Sequence, residues 1–400
     1  MRRILRTFIA LAAFSAAPCS APAQFQREAS PVANKAPEHQ LLVIMSHSPD
    51  AASNGDPRFL AFSPDGTRLY VGGRDGPVPL APIAKDAEPR FREGNVVDEA
   101  VRNTIEDGSQ VKRVPSVRQS GTIGVFRVED GKLLQDFRCT APNATVLDSC
   151  RSARLSPDGK FLALIGMTSG GLYILDSATG RQLGYVDSVR TKGGPAESLR
   201  LEDLAFLADS QQLLTLDKSD RRILLHRVPS GQIVDSISVR DDAIAYLNGL
   251  DVSRDGKTFA YGPTVWDAKA AKLLRTCEKA SRSSSFGISV KLAPDGRAVM
   301  GIGGWDLNVW EQEVSQPFET EVHALANDVA FSPDGRLMVV ARGDCAEVWS
   351  YEGRKMIGQL KGHLQDVARV AFSPDGRRLA TVSRDASTRM WDVSGFAQSP

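Results

Sequence analysis

The chain has 400 residues, 42% of them hydrophobic and 24% charged, which places it in the ordinary globular range with enough length for one large core or several smaller ones. A disordered chain is excluded as the default reading by that composition. The 49 basic and 48 acidic residues leave a net charge of +1, which argues against the concentrated basic face that a nucleic-acid partner needs.

Residues 1–23 carry Arg2, Arg3 and Arg6, then an apolar run from Ile4 to Ala17, then the small-residue pattern Ala21-Pro22-Ala23. This order predicts a secretory signal peptide cleaved after Ala23. The apolar run is shorter than the ~20 residues that span a bilayer, and no later segment is long and apolar enough to stop transfer. A periplasmic or secreted protein without a transmembrane segment is expected. Cys19 opens an alternative, lipid attachment, which Pro18 directly before it fits poorly. Without residues 1–23 the chain keeps 46 basic and 48 acidic residues, net −2. Residues 24–40 read as a flexible segment, and "HQLLVIM", His39 to Met45, reads as a strand with no unit of its own.

A repeated unit begins after it. "SPDG" stands at Ser63–Gly66, Ser156–Gly159, Ser332–Gly335 and Ser373–Gly376, with "SRDG" at Ser253–Gly256, "APDG" at Ala293–Gly296 and a worn "LADS" at Leu207–Ser210. Their third residues, 65, 158, 209, 255, 295, 334 and 375, are spaced by 93, 51, 46, 40, 39 and 41. In such a turn Pro presets φ, Asp bonds the backbone onward and Gly takes the positive φ that other residues resist. Each copy joins an apolar strand such as "VARVAF" to a half-buried strand such as "RRLATVS". A third strand often ends on an aromatic, as at Trp266, Trp310, Trp349 and Trp391, and a fourth, outer strand follows a second turn.

The long first interval contains 48 residues, 74–121, without repeat character, so the first unit carries an insertion between its second and third strands. Within it Val97, Val101, Thr104 and Ile105 stand at helical spacing, which fits a short amphipathic helix or a decorative loop. Cys139 and Cys150 could close a disulfide in an oxidising compartment or remain two buried thiols. Cys277 and Cys345 read as buried strand positions. The last copy ends at Trp391-Asp392 with no fourth strand, and the orphan strand near residue 41 can supply one. A period near forty with four strands per unit predicts an all-β fold: a seven-bladed β-propeller over residues 41–395, its N-terminal strand completing the last blade, with a tail at 396–400.

The stretch Lys361–Asp392, "KGHLQDVARVAFSPDGRRLATVSRDASTRMWD", resembles the WD40-repeat family in its Gly-His pair, its Asp-Gly turn, the Asp of the next turn and the Trp-Asp ending. The resemblance implies a hydrogen-bonded structural tetrad of His363, Ser383, Asp385 and Trp391 that locks the blade. Elsewhere the pattern fades: the sixth copy keeps His323, Asp344 and Trp349 but has Arg342 near the hydroxyl position, and the third has His226 in a strand and no Trp.

The histidines and cysteines show no metal-ligand spacing, and no nucleophile elbow or phosphate-cradling loop is present, so no catalytic residue, metal site or cofactor is assigned. Arg74, Arg342 and Arg384 fall 8 or 9 residues after their turn aspartates in the first, sixth and seventh units, which become neighbours once the ring closes. They could form an arc that binds an acidic partner or anion, or pair locally with nearby acids. The expected function is a rigid, exported, monomeric scaffold that binds a protein or peptide through its loop face and the insertion. The rival is a lactonase-like propeller hydrolase or a small-ligand sensor using the channel.

Overall fold

The computed structural model describes residues 41–46, 56–74, 112–114, 122–139, 149–190, 196–239, 249–262, 264–276, 289–293, 296, 299–303, 306–310, 326–385 and 387–396. The signal peptide expected at residues 1–23, the segment 24–40, the helix expected around 97–105, His47, Cys277 and His323 lie outside them. All regular structure among the described residues is strand.

Four strands, Asp56–Phe62, Arg68–Arg74, Thr122–Arg127 and Leu133–Arg138, pair antiparallel in chain order to form sheet one. Sheets two, three, four and six repeat this order, starting from Cys150–Leu155, Leu201–Phe206, Leu250–Val252 and Ala326–Phe331. Sheet five has three described strands, starting from Ser289–Leu292. Sheet seven starts from Val367–Phe372, and its third strand, Ser387–Asp392, pairs antiparallel with Leu41–Ser46. The first strands touch in a cycle, one to two and onward to seven, and seven touches one again. The chain is a β-propeller whose last sheet is completed by its N-terminal strand, as the repeat predicts.

The long intervals in the repeat have visible causes. Residues 74–121 leave sheet one between its second and third strands, and Lys112–Val114 within them adds a fifth strand, parallel to Leu41–Ser46, at the outer edge of sheet seven. The described part of the insertion therefore lies at the rim and not at the channel. The 51-residue interval holds an extra hairpin, Ser188–Arg190 with Ala196–Ser198. Phe396, assigned to the tail from the sequence, is buried between sheets six and seven, where Gly358 leaves room for its ring.

Burial follows the pleat. In Phe161–Gly166 the five residues after Phe161 are all buried. Leu162 and Leu164 join the apolar cluster shared with sheet one, while Ala163 and Ile165 join the one shared with sheet three. The period of two that would put one face in water here puts both in contact with neighbours. Sheets six and seven share Val339, Val348 and Leu379, and sheets seven and one share Met390, Val382 and Leu69. The core is a set of junctions between sheets, each of them apolar.

The turns repeat in atomic detail. In five copies the Ser hydroxyl donates to the Asp carboxylate at 2.5–2.8 Å and accepts the N–H five residues on at 2.9–3.0 Å. The same carboxylate accepts the N–H two residues beyond it. Gly66, Gly159, Gly256, Gly296, Gly335 and Gly376 sit at φ of +69° to +74°. Successive turns also abut: a Cβ on Gly159 would stand 2.7 Å from Pro64 of sheet one, whereas one on Gly66 would stand 3.6 Å from Pro374 of sheet seven. Gly66→Ala is therefore expected to cost about 1–2 kcal/mol from its left-handed φ alone, and Gly159→Ala about 1–3 kcal/mol more from the clash. Urea unfolding of both variants checks this, and equal losses would contradict the turn-on-turn contact.

Candidate functional site

Sheet seven contains a directed chain of hydrogen bonds. The Trp391 indole N–H donates to Thr381 Oγ1 at 3.0 Å, the Thr381 hydroxyl lies 2.7 Å from His363 Nε2, and His363 Nδ1 lies 2.9 Å from Asp385 Oδ2. One assignment satisfies every member: Thr381 donates to Nε2, and the Nδ1 proton goes to the carboxylate. Asp385 also accepts from the Leu364 N–H, the Ser387 N–H and the Ser387 hydroxyl. Burial alone would raise its carboxyl, but the hydrogen bond from His363 and these other donors hold it well below the usual carboxylate range. The hydroxyl of the chain is thus Thr381 and not the expected Ser383. Ser383 lies two residues further on, donates to the Gln365 carbonyl at 2.8 Å and accepts the Asp385 N–H.

Sheet three builds the same device from other residues. Thr215 stands six residues after its turn aspartate, as Thr381 does, and His226 faces Leu213 as Trp391 faces Leu379. The Thr215 hydroxyl lies 2.8 Å from His226 Nε2, and His226 Nδ1 lies 2.8 Å from the Gly231 carbonyl. A histidine occupies the tryptophan position. Burial pushes its imidazole down to about 4, against the raising effect of the Gly231 bond. In sheets four and six the tryptophan stays and its partner changes, with Trp266 donating to Thr264 at 2.8 Å and Trp349 to Glu347 at 3.3 Å.

The first strands line the channel, and five of them shift register at the same point, between Pro57 and Phe59, Cys150 and Ser152, Leu201 and Leu204, Ala326 and Asp328, and Val367 and Arg369. Such bulges bend a strand and re-aim its side chains. Aspartates on three first strands latch sheet three to four, four to five and six to seven: Asp203 accepts the Leu250 N–H at 3.0 Å, Asp251 the Leu292 N–H at 2.8 Å and Asp328 the Val370 N–H at 3.1 Å. These three acids were not among the residues singled out from the sequence. Their signal was an Asp interrupting an apolar inner strand, in "LEDLAF", "LDV" and "ANDVAF".

Arg74 and Arg342 end the second strands of sheets one and six, and Arg384 follows that of sheet seven by one residue, so the three occupy one face of neighbouring sheets. Arg342 pairs with Glu347 at 3.1 Å and Arg384 with Asp366 at 3.8 Å, so both meet local carboxylates. Cys139 and Cys150 are buried thiols in the cluster between sheets one and two.

Residues 354–392 match the family model described as WD domain, G-beta repeat. Over 69 residues, 17% of this chain, the sequence is 39% identical to the "Guanine nucleotide-binding protein subunit beta" of Schizosaccharomyces pombe, covering 23% of that protein. It is 27% identical over 201 residues, 46% of this chain, to the "Anaphase-promoting complex subunit cdh1" of Dictyostelium discoideum, covering 25% of it. A third relative, the human "Apoptotic protease-activating factor 1", is 38% identical over 72 residues, 18% of this chain and 6% of that protein. The chain spans a quarter or less of the length of these relatives.

Thr381→Val leaves the Trp391 N–H and His363 Nε2 without partners in a buried site and is expected to cost about 2–4 kcal/mol, against about 1 kcal/mol for Ser383→Ala; a reversed order in urea unfolding would reassign the hydroxyl. His226 gives a pH prediction. Its folded pKa lies below its unfolded value of 6.5, so the unfolded state takes up the proton first as pH falls. Stability is complete above pH 6.5 and is lost toward pH 4, by about 3 kcal/mol for this residue. His226→Gln should be less stable at pH 7 and show a shallower loss between pH 6.5 and 4.5 in the same assay.

Proposed function

We propose that this chain, a WD40-repeat protein, is an exported, monomeric binding platform that holds a protein or peptide on the face carrying Arg74, Arg342, Arg384 and the 74–121 insertion. One observation carries the reading. The polar groups buried in the sheets, His363, Asp385, His226, Asp203 and Asp328, are spent on bonds that hold the ring. What is elaborated beyond the ring is the insertion, which leaves sheet one beside Arg74. A rigid scaffold that fixes loops at one end is suited to recognition. Two relatives are named as subunits, of a guanine nucleotide-binding protein and of the anaphase-promoting complex, which supports a role within an assembly. Export rests on the signal peptide read at residues 1–23.

The test is affinity capture from envelope extract with three forms: residues 24–400, the same form lacking residues 76–110, and Arg74→Ala/Arg342→Ala/Arg384→Ala. The deletion spares the Lys112–Val114 strand. A partner is expected on the first form and lost from the other two. A partner retained by both would move recognition off this face, and no partner on any form would overturn the platform.

A further inference from the structure

The channel holds a cavity of ≈ 760 Å³, lined from six of the seven first strands. That volume falls in the range of sites that take small molecules. Its lining carries five cations, Arg58, Arg151, Arg154, Lys291 and Arg369, against three carboxylates, Glu202, Asp203 and Asp328. The surplus decides which ligand the site can take only if the acids are already occupied.

They are occupied. Asp203 accepts from the Ser152 hydroxyl at 2.6 Å, the Leu204 N–H at 2.9 Å and the Leu250 N–H at 3.0 Å, and stands 3.5 Å from Arg154. Asp328 accepts the Val370 N–H, and Glu202 pairs with Arg151 at 2.8 Å. The Arg154 guanidinium is opposed by burial but held protonated by the charges of Asp203, Asp251 and Asp328, so its charge is balanced within the wall. A cation entering the cavity would compete with donors that each of the three carboxylates already holds.

Arg369 and Lys291 are in a different position. Arg369 donates to the carbonyls of Arg58 at 3.1 Å, Ala368 at 2.7 Å and Asn327 at 3.4 Å, so its positive charge is fixed by neutral acceptors. Lys291 has no ion pair among the described residues. Arg151 keeps its Nε without an acceptor while Nη1 holds Glu202. Arg58 and Arg151 each stand five residues before their turn serines, at the bulges of adjacent first strands, and Arg369 stands beside the bulge of the sheet that closes the ring. Three arginines on sheets seven, one and two thus share one channel wall. A guanidinium fixed by neutral acceptors, as that of Arg369 is, binds planar or tetrahedral oxyanions by paired N–H donors.

We propose that this cavity is a binding site for a small organic anion bearing carboxylate or phosphate groups, held by Arg58, Arg151, Arg369 and Lys291. The proposal goes beyond the platform reading and is independent of whether a protein partner is found. The site is separate from the loop-face arc, whose Arg342 and Arg384 already meet local carboxylates.

The test is isothermal titration of the purified protein, residues 24–400, with pyrophosphate and with citrate at matched ionic strength, the two probes separating phosphate from carboxylate preference. Saturable binding of one anion per chain is expected for at least one probe. Affinity should fall about tenfold in Lys291→Gln and further in Arg58→Gln/Arg151→Gln. The exposed turn residue Arg377, changed to Gln, should leave it unchanged. Lys291→Gln removes no ion pair among the described residues, so it carries the test if the double variant melts early. No saturable heat with either probe, binding that survives both channel variants, or an equal loss in Arg377→Gln would overturn the proposal.

Discussion

Every sheet in this protein has two apolar faces, and such a sheet cannot stop being covered until the sheets return to where they began. Leu162 and Leu164 face one neighbour while Ala163 and Ile165 face the other, within one strand. An open stack would leave an apolar face in water at each end, at roughly 25 cal/mol for every Å² exposed. Closure removes both ends at once. It requires a last sheet that touches the first, and Met390 and Val382 packing with Leu69 and Val71 supply that contact. The turns close in the same sense, with Pro374 of the seventh lying against Gly66 of the first.

Apolar faces slide over one another unless something fixes their register, and the buried polar groups do that. Asp203, Asp251 and Asp328 reach from one first strand to the backbone of the next, so each sets the height at which two sheets meet. Within sheets, the Trp391–Thr381–His363–Asp385 chain ties the third strand to the second and both to the segment that enters the sheet. A buried network with all members paired adds specificity, and it is costly to interrupt anywhere along its length. Sheet three shows that the geometry matters more than the residue: a histidine in the tryptophan position reaches the corresponding threonine, Thr215.

Much of the fold was legible because the turn is a local device. Pro, Asp and Gly at fixed offsets state a conformation without help from distant residues, and seven such statements at a period near forty left little choice of architecture. The exchange of strands between the ends was legible too, since one end lacked a strand and the other had one to spare. The bonding inside a sheet was less so. Thr381 and Ser383 lie on the same strand, and only the placement of the His363 ring decides between them. The inter-sheet aspartates depend on which strand lies next door, and the channel arginines depend on bulges that no residue type announces. Phe396 passed as a tail residue because its partner, Gly358, is an absence of side chain in a strand 38 positions earlier.

The pairing of Leu41–Ser46 with Ser387–Asp392 also orders events in time. The first strand of the ring to be synthesised is the one whose partner is synthesised last, so it waits through the production of every other sheet. Six junctions can assemble as the chain lengthens, but the seventh sheet stays incomplete until residue 392 is released. Until then the outer edge of Ser387–Asp392 has no partner and the ring lacks the strand that completes its last sheet.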